Sequence, residues 1–264
     1  MLEKTNPVER MKASAAAAGQ LAVLWTGNDG WLLSNGTSVL AMDLDFYLEE
    51  RIAPPPVTMA ELAPHLDLLM ISHAHDDHFN ARTVSELVNH SDCLFMLPVS
   101  CHDKADHVGI PHDRRLTMQP GQSRTHLGIR FSAFRALHGH IGQSVYTGAN
   151  PGDCGYRFEL AGCLIFQPGD TVLLQEHLEM PPVDILFISP TDHNTHIEPS
   201  RRMIEAIKPR WIIAQHFDTY RIDAENAFWT KGYATELKDR LPEPERSRFI
   251  IPAAGELFLF GAGT

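Results

Sequence analysis

The sequence predicts two β-sheets packed face to face and flanked by helices, an α/β fold of the αββα sandwich type. Three observations carry this prediction: strand-like segments come first, strand and helix then alternate, and a helix followed by strand-like segments comes last. We expect a single domain of this kind over residues 21–264, preceded by an N-terminal arm or helix over residues 1–20. With 264 residues, the chain is long enough to bury one substantial core.

The first strand-like segments lie on either side of turn signals. Residues 21–25, 31–34 and 37–42 are apolar runs typical of buried strands. Asn35-Gly36 stands between the last two runs, and this dipeptide is a strong hairpin signal. The sequence therefore predicts that these two runs form a β-hairpin.

The remaining elements follow from apolar periodicity, caps and turn residues. The predicted helices span residues 81–90 (with Asn80 as N-cap), 100–107, 198–207 and much of 225–241. The further predicted strands span residues 93–97, 117–118, 130–137, 156–160, 163–166, 184–188 and 211–214. We expect strands 117–118 and 130–137 to lie around a turn at Pro120-Gly121, and residues 249–260 to form a closing hairpin around Gly255.

The composition indicates which classes of molecule the protein can bind. The formal charge is −11, from 22 basic and 33 acidic side chains, and no basic stripe is present that could displace counterions from a nucleic acid. The expected partner is therefore a small molecule and not a nucleic acid, while assembly into a homo-oligomer stays open. No apolar run approaches the roughly 20 residues of a membrane-spanning helix.

The cysteines indicate the redox compartment. Cys93, Cys101, Cys154 and Cys163 lack C-x-x-C spacing, so neither a zinc finger nor a redox motif is indicated. We interpret them as reduced thiols of a cytoplasmic protein.

The strongest chemical signal is a polar segment that follows an apolar strand at residues 66–71. It places His73, His75, Asp77 and His78 within six residues. Burying so many polar groups without partners is costly, and a divalent cation removes that cost because imidazole and carboxylate are its usual ligands. His73 and His75 are two residues apart, so they point the same way on an extended segment, whereas Asp77 and His78 can face a second ion.

Three further residues share this context. His138, Asp170 and His216 each follow an apolar strand, where rigid scaffolds commonly place binding groups. Each alone is as consistent with an ordinary hydrogen-bonded side chain as with a ligand, but together they exceed what one ion could use. His140 competes with His138 as the third ligand of a first metal, and the place of His138 directly at the strand end favours His138.

The pattern H-x-H-x-D-H after an apolar strand, with later His138, Asp170 and His216, resembles the metallo-β-lactamase superfamily from about Trp25 to Phe260. The resemblance implies the metallo-β-lactamase fold and two divalent ions, most simply Zn²⁺, with Mn²⁺ or Fe²⁺ as alternatives. The implied ligands are His73, His75 and His138 for the first metal, Asp77, His78 and His216 for the second, and Asp170 as a bridge between them.

Finer features resemble the lactonase-like branch of this superfamily. They are the segment from Trp25 to Trp31, the hairpin that ends at Asp43, and the segment from Gln215 to Thr219. This branch includes L-ascorbate-6-phosphate lactonase and N-acyl-phosphatidylethanolamine phospholipase D. Family members commonly have an aspartate-proline after the first hairpin, whereas Leu44 follows Asp43 here.

The resemblance implies a dinuclear metal-dependent hydrolase that uses a metal-bridging hydroxide on a small lactone, ester or phosphoester. Asp77 and Asp170 are the expected catalytic residues, Asp77 as the group that orients the hydroxide or moves its proton. The alternatives are a nucleic-acid phosphodiesterase, a di-iron redox or oxygen-handling protein, and a binding protein without activity. The acidic composition argues against the first, and the intact ligand set argues against the last.

The sequence offers fewer candidates for contact with the substrate than for metal binding, and the evidence for each is weaker. His193 and His196 follow the strand at residues 184–188 and could donate to a leaving group or contact an oxyanion. The alternative is that Thr195 caps the next helix and that His196 is merely solvated. Asn28, His140 and Arg157 are further candidates for contact with the substrate.

Overall fold

The computed structural model describes residues 6–262, which form two sheets with helices on their outer faces. The strands are β1 (Leu21–Gly27), β2 (Gly30–Ser34), β3 (Val39–Met42), β4 (Leu68–Met70), β5 (Leu94–Pro98), β6 (Arg115–Met118), β7 (Ser123–His126), β8 (Ile129–Arg135), β9 (Cys154–Leu160), β10 (Cys163–Gln167), β11 (Ile185–Ile188), β12 (Trp211–Ala214), β13 (Phe249–Ile250) and β14 (Leu257–Phe260). The helices are α1 (Pro7–Ala18), α2 (Met59–Leu62), α3 (Ala81–His90), α4 (His102–His107), α5 (Gln175–Leu178), α6 (Ile197–Ile207), α7 (Ala227–Thr230), α8 (Ala234–Arg240) and α9 (Glu245–Arg248).

The two sheets have corresponding layouts. The first runs β14-β1-β2-β3-β4-β5-β6 and the second runs β13-β12-β11-β10-β9-β8-β7. In both, antiparallel strands give way to parallel ones, which are connected through helices. This arrangement confirms the predicted αββα sandwich. Within residues 6–262, none of the helices has the length and apolar character needed to span a bilayer.

Apolar side chains fill three layers. Trp31 and Phe158 belong to the buried cluster between the sheets. Helix α1 begins after Asn6, whose side chain accepts from Val8 N, and it buries Val8 and Met11 against the outer side of the first sheet. Helix α6 covers the second sheet with Met203 and its neighbours. Large apolar residues are thus withdrawn from water on both faces of each sheet, which makes the sheets rigid supports for the loops at their edges.

The β2–β3 hairpin forms where Asn35-Gly36 predicts it, but its loop is longer than two residues. Ser34 pairs with Val39, so four residues make the connection and β3 begins two residues later than expected. The reason is local: Asn35 Oδ1 accepts hydrogen bonds from the backbone N of Thr37 (3.0 Å) and of Ser38 (2.8 Å). These bonds hold the backbone in a turn at positions predicted to be strand.

The strands on either side of Pro120-Gly121 are in different sheets. Strand β6 is the edge of the first sheet, and β8 lies inside the second, so the turn carries the chain from one sheet to the other. The partner of β8 on this side is β7, which the sequence did not predict. Strand β7 is polar and largely exposed, so it lacks the apolar alternation on which the prediction relied.

The predicted closing hairpin over residues 249–260 is also wrong. Strand β13 pairs parallel with β12 in the second sheet, whereas β14 pairs antiparallel with β1 in the first. The turn at Gly255 therefore connects the sheets and does not fold one strand back on the other. Residues 225–241, predicted to be largely helical, form two short helices, α7 and α8, because the backbone becomes extended at Lys231 (ψ 94°) and ends α7 there.

Candidate metal centre

The polar segments predicted to bind metal meet at one edge of the two sheets. Loops after β4, β8, β10 and β12 carry His73, His138, Asp170 and His216, respectively, and all four side chains are buried. Strands from both sheets thus supply the cluster, although the residues lie far apart in sequence. Each loop follows a strand that is fixed by packing between the sheets, so the side chains converge on positions with little freedom.

Three imidazoles form the first group. His73, His75 and His138 place one ring nitrogen each within 4.8 Å of the others. His73 Nδ1 is 2.9 Å from Ser72 Oγ. Nε2 of His73 and Nε2 of His138 have no hydrogen-bond partner within residues 6–262. Burial and then neighbouring imidazoles lower the pKa of His73 well below its usual range and that of His75 to about 4. The rings of His73 and His75 are accordingly neutral at pH 7, the form that ligates a cation.

A second group lies beside the first and combines imidazoles with carboxylates. Donor atoms of Asp29, His78, Asp170 and His216 lie within 4.8 Å of one another. Asp170 Oδ2 is 3.1 Å from His216 Nε2 and 3.5 Å from His78 Nε2. The same oxygen is 3.5 Å from His138 Nε2 in the first group. Asp170 therefore stands between the two groups.

Asp77 lies at the side of the second group. Its Oδ2 is 3.4 Å from Nε2 of His78 and 3.4 Å from Nε2 of His216. Asn28 Nδ2 donates to the same oxygen at 3.1 Å, which fixes the carboxylate. The sequence assigned Asp77 to the second metal, and the structure places Asp77 next to both histidines. The group of donor atoms that all lie within 4.8 Å of one another, however, contains Asp29 and not Asp77.

Asp29 is the functional candidate that the sequence analysis missed. It lies in the loop between β1 and β2 and is fully buried. Its Oδ2 is 3.5 Å from His216 Nε2 and has no hydrogen-bond partner in the described part of the chain. Its other oxygen accepts from Ser189 Oγ (3.1 Å), which in turn accepts from Gln215 Nε2 (3.0 Å). Burial raises the pKa of Asp29 to about 7. The signal was available, because Asp29 also follows an apolar strand in a glycine-bounded loop.

The charges of the second group balance one another. Burial disfavours charge on His78, but the carboxylates of Asp77 and Asp170 raise its pKa well above the usual range. Burial likewise opposes charge on His216, and Asp170 and Asp29 raise its pKa. Without a cation, these imidazoles hold protons between the carboxylates, in the positions that a cation would take.

Asp43 orients the His73–His78 segment from outside both groups. Its Oδ1 accepts from the backbone N of Ser72 at 2.7 Å, and its Oδ2 is 3.1 Å from His78 Nδ1. Gln167 Nε2 donates to the same Oδ2 at 3.3 Å. Since His78 Nδ1 is engaged in this way, Nε2 faces the other donors.

The hydrogen bonding of the cluster indicates that this set of donor atoms is suited to metal ions. Several buried side-chain atoms in the cluster have no hydrogen-bond partner within residues 6–262, although unpaired buried polar atoms are costly. These atoms are His73 Nε2, His78 Nε2, His138 Nε2, Asp29 Oδ2 and Asp170 Oδ1. All are ligand types that zinc, manganese and iron accept.

Of the predicted substrate contacts, His193 reaches the cluster most directly. Its Nε2 is 2.7 Å from Asp170 Oδ2, and its ring stacks on His138 at 5.4 Å between ring centroids. Its Nδ1 is 3.1 Å from the carbonyl oxygen of Phe228, which can only accept a hydrogen bond. His193 is therefore held from behind and directs Nε2 at the cluster.

The other predicted contacts lie at the rim or elsewhere. His140 is exposed and lies against Tyr146, whereas His138 is in the cluster. His196 faces Asp192 at the start of α6, and Thr195 does not cap that helix but bonds to Ser200 Oγ. Asn28 contacts Asp77 and not the open cavity. Arg157 sits on β9 opposite Phe166, whose side chain packs outside the second sheet, so the structure does not bring Arg157 to the cluster.

A cavity of about 360 Å³ opens onto the cluster. Its lining includes five residues of the cluster and its surroundings: His75, Asp77, His138, Asp170 and His193. The remaining lining residues are Leu48, Glu50, Asp76, Tyr146, Phe228 and Trp229. The volume is that of a pocket for a small organic molecule.

Comparison with known proteins assigns the fold to a family. Residues 22–216 match the family model described as "Beta-lactamase superfamily domain". A protein of Anaeromyxobacter sp. (strain K), named UPF0173 metal-dependent hydrolase, is 27% identical over 255 residues, with 90% of this chain and 86% of the relative covered.

Two solved structures share the fold at low sequence identity. Isothiocyanate hydrolase from Delia radicum gut bacteria superposes with a TM-score of 0.72 and 15% identity, covering 91% of this chain and all (100%) of the other. CmlA, a diiron β-hydroxylase from Streptomyces venezuelae, superposes with a TM-score of 0.71 and 10% identity, covering 91% of this chain and 54% of the other. One fold thus carries a hydrolase and a hydroxylase, so the chemistry must be argued from the site.

Proposed function

The chain belongs to the beta-lactamase superfamily domain family and is a metal-dependent hydrolase, and from this premise we propose a dinuclear enzyme that cleaves a small-molecule lactone, ester or phosphoester. His73, His75 and His138 would hold the first cation, and Asp77, His78 and His216 the second. Asp170 would bridge the two, and the missed Asp29 would support His216. The observation that supports this proposal most directly is that donor atoms without hydrogen-bond partners converge around Asp170.

The chain's own residues have distinct tasks in this proposal. When bound, the two cations would supply an activated water near neutral pH and polarise the oxygen of the bond under attack. Asp77, fixed by Asn28, is placed to accept a proton at Oδ2. The Phe228 carbonyl accepts a hydrogen bond from Nδ1–H of His193, so Nε2 of the neutral ring is placed to accept a proton and then to pass it on. Leu48, Phe228 and Trp229 line the cavity and would exclude water from the reacting groups.

We further assign the enzyme to the lactonase-like branch, on the motifs around Trp25 and His216. These motifs lie together: the Trp25 ring stacks on Phe217 at 4.9 Å, and Trp25 Nε1 donates to the Asn28 carbonyl at 2.9 Å. The four buried free cysteines support a cytoplasmic protein with reduced thiols. A small molecule, and not a nucleic acid, is the proposed substrate.

Elemental analysis of the purified protein followed by a substrate panel tests this function. We expect about two divalent ions per chain and turnover of a lactone, ester or phosphodiester that a chelator abolishes. The matched variants His138→Gln and His140→Gln separate the competing third ligands: the first should lose metal and the second should retain it. A folded protein that binds no zinc, manganese or iron would overturn the proposal. Two bound irons without hydrolysis of any substrate would favour the di-iron alternative.

A further inference from the structure

Apart from the metal donors, the lining of the cavity is mostly apolar. Leu48, Tyr146, Phe228 and Trp229 line it together with the donors. A substrate whose reacting group lies at the donors must place its remaining part against these side chains. Burial of apolar groups there is worth about 25 cal/mol per Å² removed from water.

A second cavity lies beside the first. It has a volume of about 530 Å³ and is lined by His140, Ile141, Tyr146, Asp192 and Phe228. It shares Tyr146 and Phe228 with the cavity above the donors, so the two are neighbours. Ile141 is 55% exposed and Phe228 is 47% exposed, which is high for large apolar side chains beside a binding site.

The charged side chains along both cavities are acidic. Glu50 and Asp76 line the inner cavity and Asp192 lines the outer one, whereas neither lysine nor arginine lines either cavity within residues 6–262. Asp76 is paired with Lys104 Nζ. Glu50 lines the cavity, is half-buried and forms no ion pair in the described part of the chain. Outside the metal donors, it is therefore the acidic residue of the inner lining that has no cationic partner among these residues.

We propose that the non-reacting arm of the substrate is apolar and without negative charge, and that Glu50 is the residue that excludes anionic arms. This inference rests on the proposed function and narrows its substrate class. An anionic arm would find no basic side chain on this lining to pair with. A neutral apolar arm can be placed against Leu48, Phe228 and Trp229.

Binding of three matched amides tests the arm directly, with no turnover required. Hexanamide, 6-aminohexanamide and adipamate have similar length and carry a neutral, a positive and a negative distal end. Calorimetry and the fluorescence of Trp229 would report their dissociation constants with the metal-loaded protein. We expect adipamate to bind about tenfold more weakly than hexanamide, the penalty for like charges a few ångströms apart at a partly buried site. Equal affinity of adipamate and hexanamide, or no binding by any of the three, would overturn the proposal.

The variant Glu50→Gln isolates the carboxylate. It should remove most of the penalty on adipamate and leave hexanamide unchanged. Glu49→Gln is the matched control, because Glu49 is the exposed neighbour and does not line the cavity, so it should keep the wild-type preference. Identical behaviour of the two variants would assign the selectivity to the overall charge and not to Glu50.

A hydrolysis panel separates failure of this inference from failure of the proposed function. The metal-loaded enzyme should cleave p-nitrophenyl butyrate faster than the p-nitrophenyl monoester of succinate, which has an acyl chain of the same length with an anionic end. Preference for the succinate monoester would overturn the inference and keep the hydrolase. Loss of activity on both esters and on bis-p-nitrophenyl phosphate, in a protein that still binds hexanamide, would instead count against the proposed hydrolysis.

Discussion

Asn28 Nδ2 donates a hydrogen bond to Asp77 Oδ2 at 3.1 Å, across 49 positions of sequence. Asn28 also has a positive φ of 50°, a backbone conformation that asparagine tolerates better than most residues. Its carbonyl oxygen accepts from the backbone N of His216 at 3.2 Å. One residue of the β1–β2 loop thus positions two of the proposed ligands of the second cation.

Replacing Asn28 by alanine should therefore weaken binding of one cation and spare the other. Loss of a group that holds a ligand in place commonly costs about 10–100-fold in metal affinity. Competition with a chromophoric chelator would measure both dissociation constants. Asn6→Ala is the control, since it removes a helix cap far from the cluster and should lower stability alone. Equal weakening of both sites would contradict the proposed division of ligands.

His193→Gln should lower kcat by roughly 10²-fold or more, as expected when a positioned proton donor is lost. Glutamine cannot move a proton at the position of Nε2, but it retains a polar contact with Asp170. The pH dependence of kcat distinguishes this role from a structural one, because the limb due to His193 should disappear. His90→Gln, at an exposed helix end, is the matched control. Unchanged turnover in His193→Gln would remove His193 from the mechanism.

Gly155→Ala should disturb Asp170 through the backbone. An added Cβ at Gly155 would lie 2.5 Å from the carbonyl oxygen of Pro168, in the turn that carries Asp170. The turn must shift, so we expect weaker metal binding and a lower melting temperature. Gly148→Ala is the matched control, because a Cβ there meets nothing within 4 Å. Metal titration of the two variants would reveal the difference, and equal affinities would show that the turn adapts.

Asp45 provides a pH-dependent prediction away from the metal donors. Burial raises its pKa above the usual value, despite Arg51 beside it and a hydrogen bond from Tyr220 OH at 2.9 Å. A folded state that binds the proton more tightly than the unfolded state loses stability as pH rises past the unfolded pKa of about 4 towards the folded one.

The free energy of unfolding of the wild type, relative to Asp45→Asn, should therefore fall as pH rises above about 4. Urea unfolding of both proteins across the acid range would measure this difference. Asp239→Asn, an exposed substitution, should show none. A difference that rises with pH would mean that Arg51 outweighs burial and lowers the pKa of Asp45.

The metal segment could be predicted from sequence because its ligands are adjacent along one loop. His73, His75, Asp77 and His78 lie within six positions after a strand, and the loop alone brings them together. Asp29 carries only the weaker local signal of a polar residue after an apolar strand, and its role depends on Ser189 and His216, which lie more than 150 positions away. The packing of the two sheets decides which of the residues with this signal join the cluster.

The elements of the sandwich were predicted better than their pairing. Apolar alternation located β8 and β14, but it does not say which sheet a strand joins. Turn residues at Pro120-Gly121 and Gly255 predicted a change of direction correctly. In both places the chain passes between sheets instead of folding back within one, a choice made by tertiary packing.

The separation of β13 and β14 has a consequence for how the protein is made. Strand β1 has β14 as one of its two neighbours, and β14 is translated more than 200 residues after β1. One edge of the first sheet therefore stays open until β14 has been synthesised, and its exposed backbone is a place where nascent chains can associate. Both sheets are completed only when residues 249–260 have emerged, so the maturation of the whole sandwich waits for its last dozen residues.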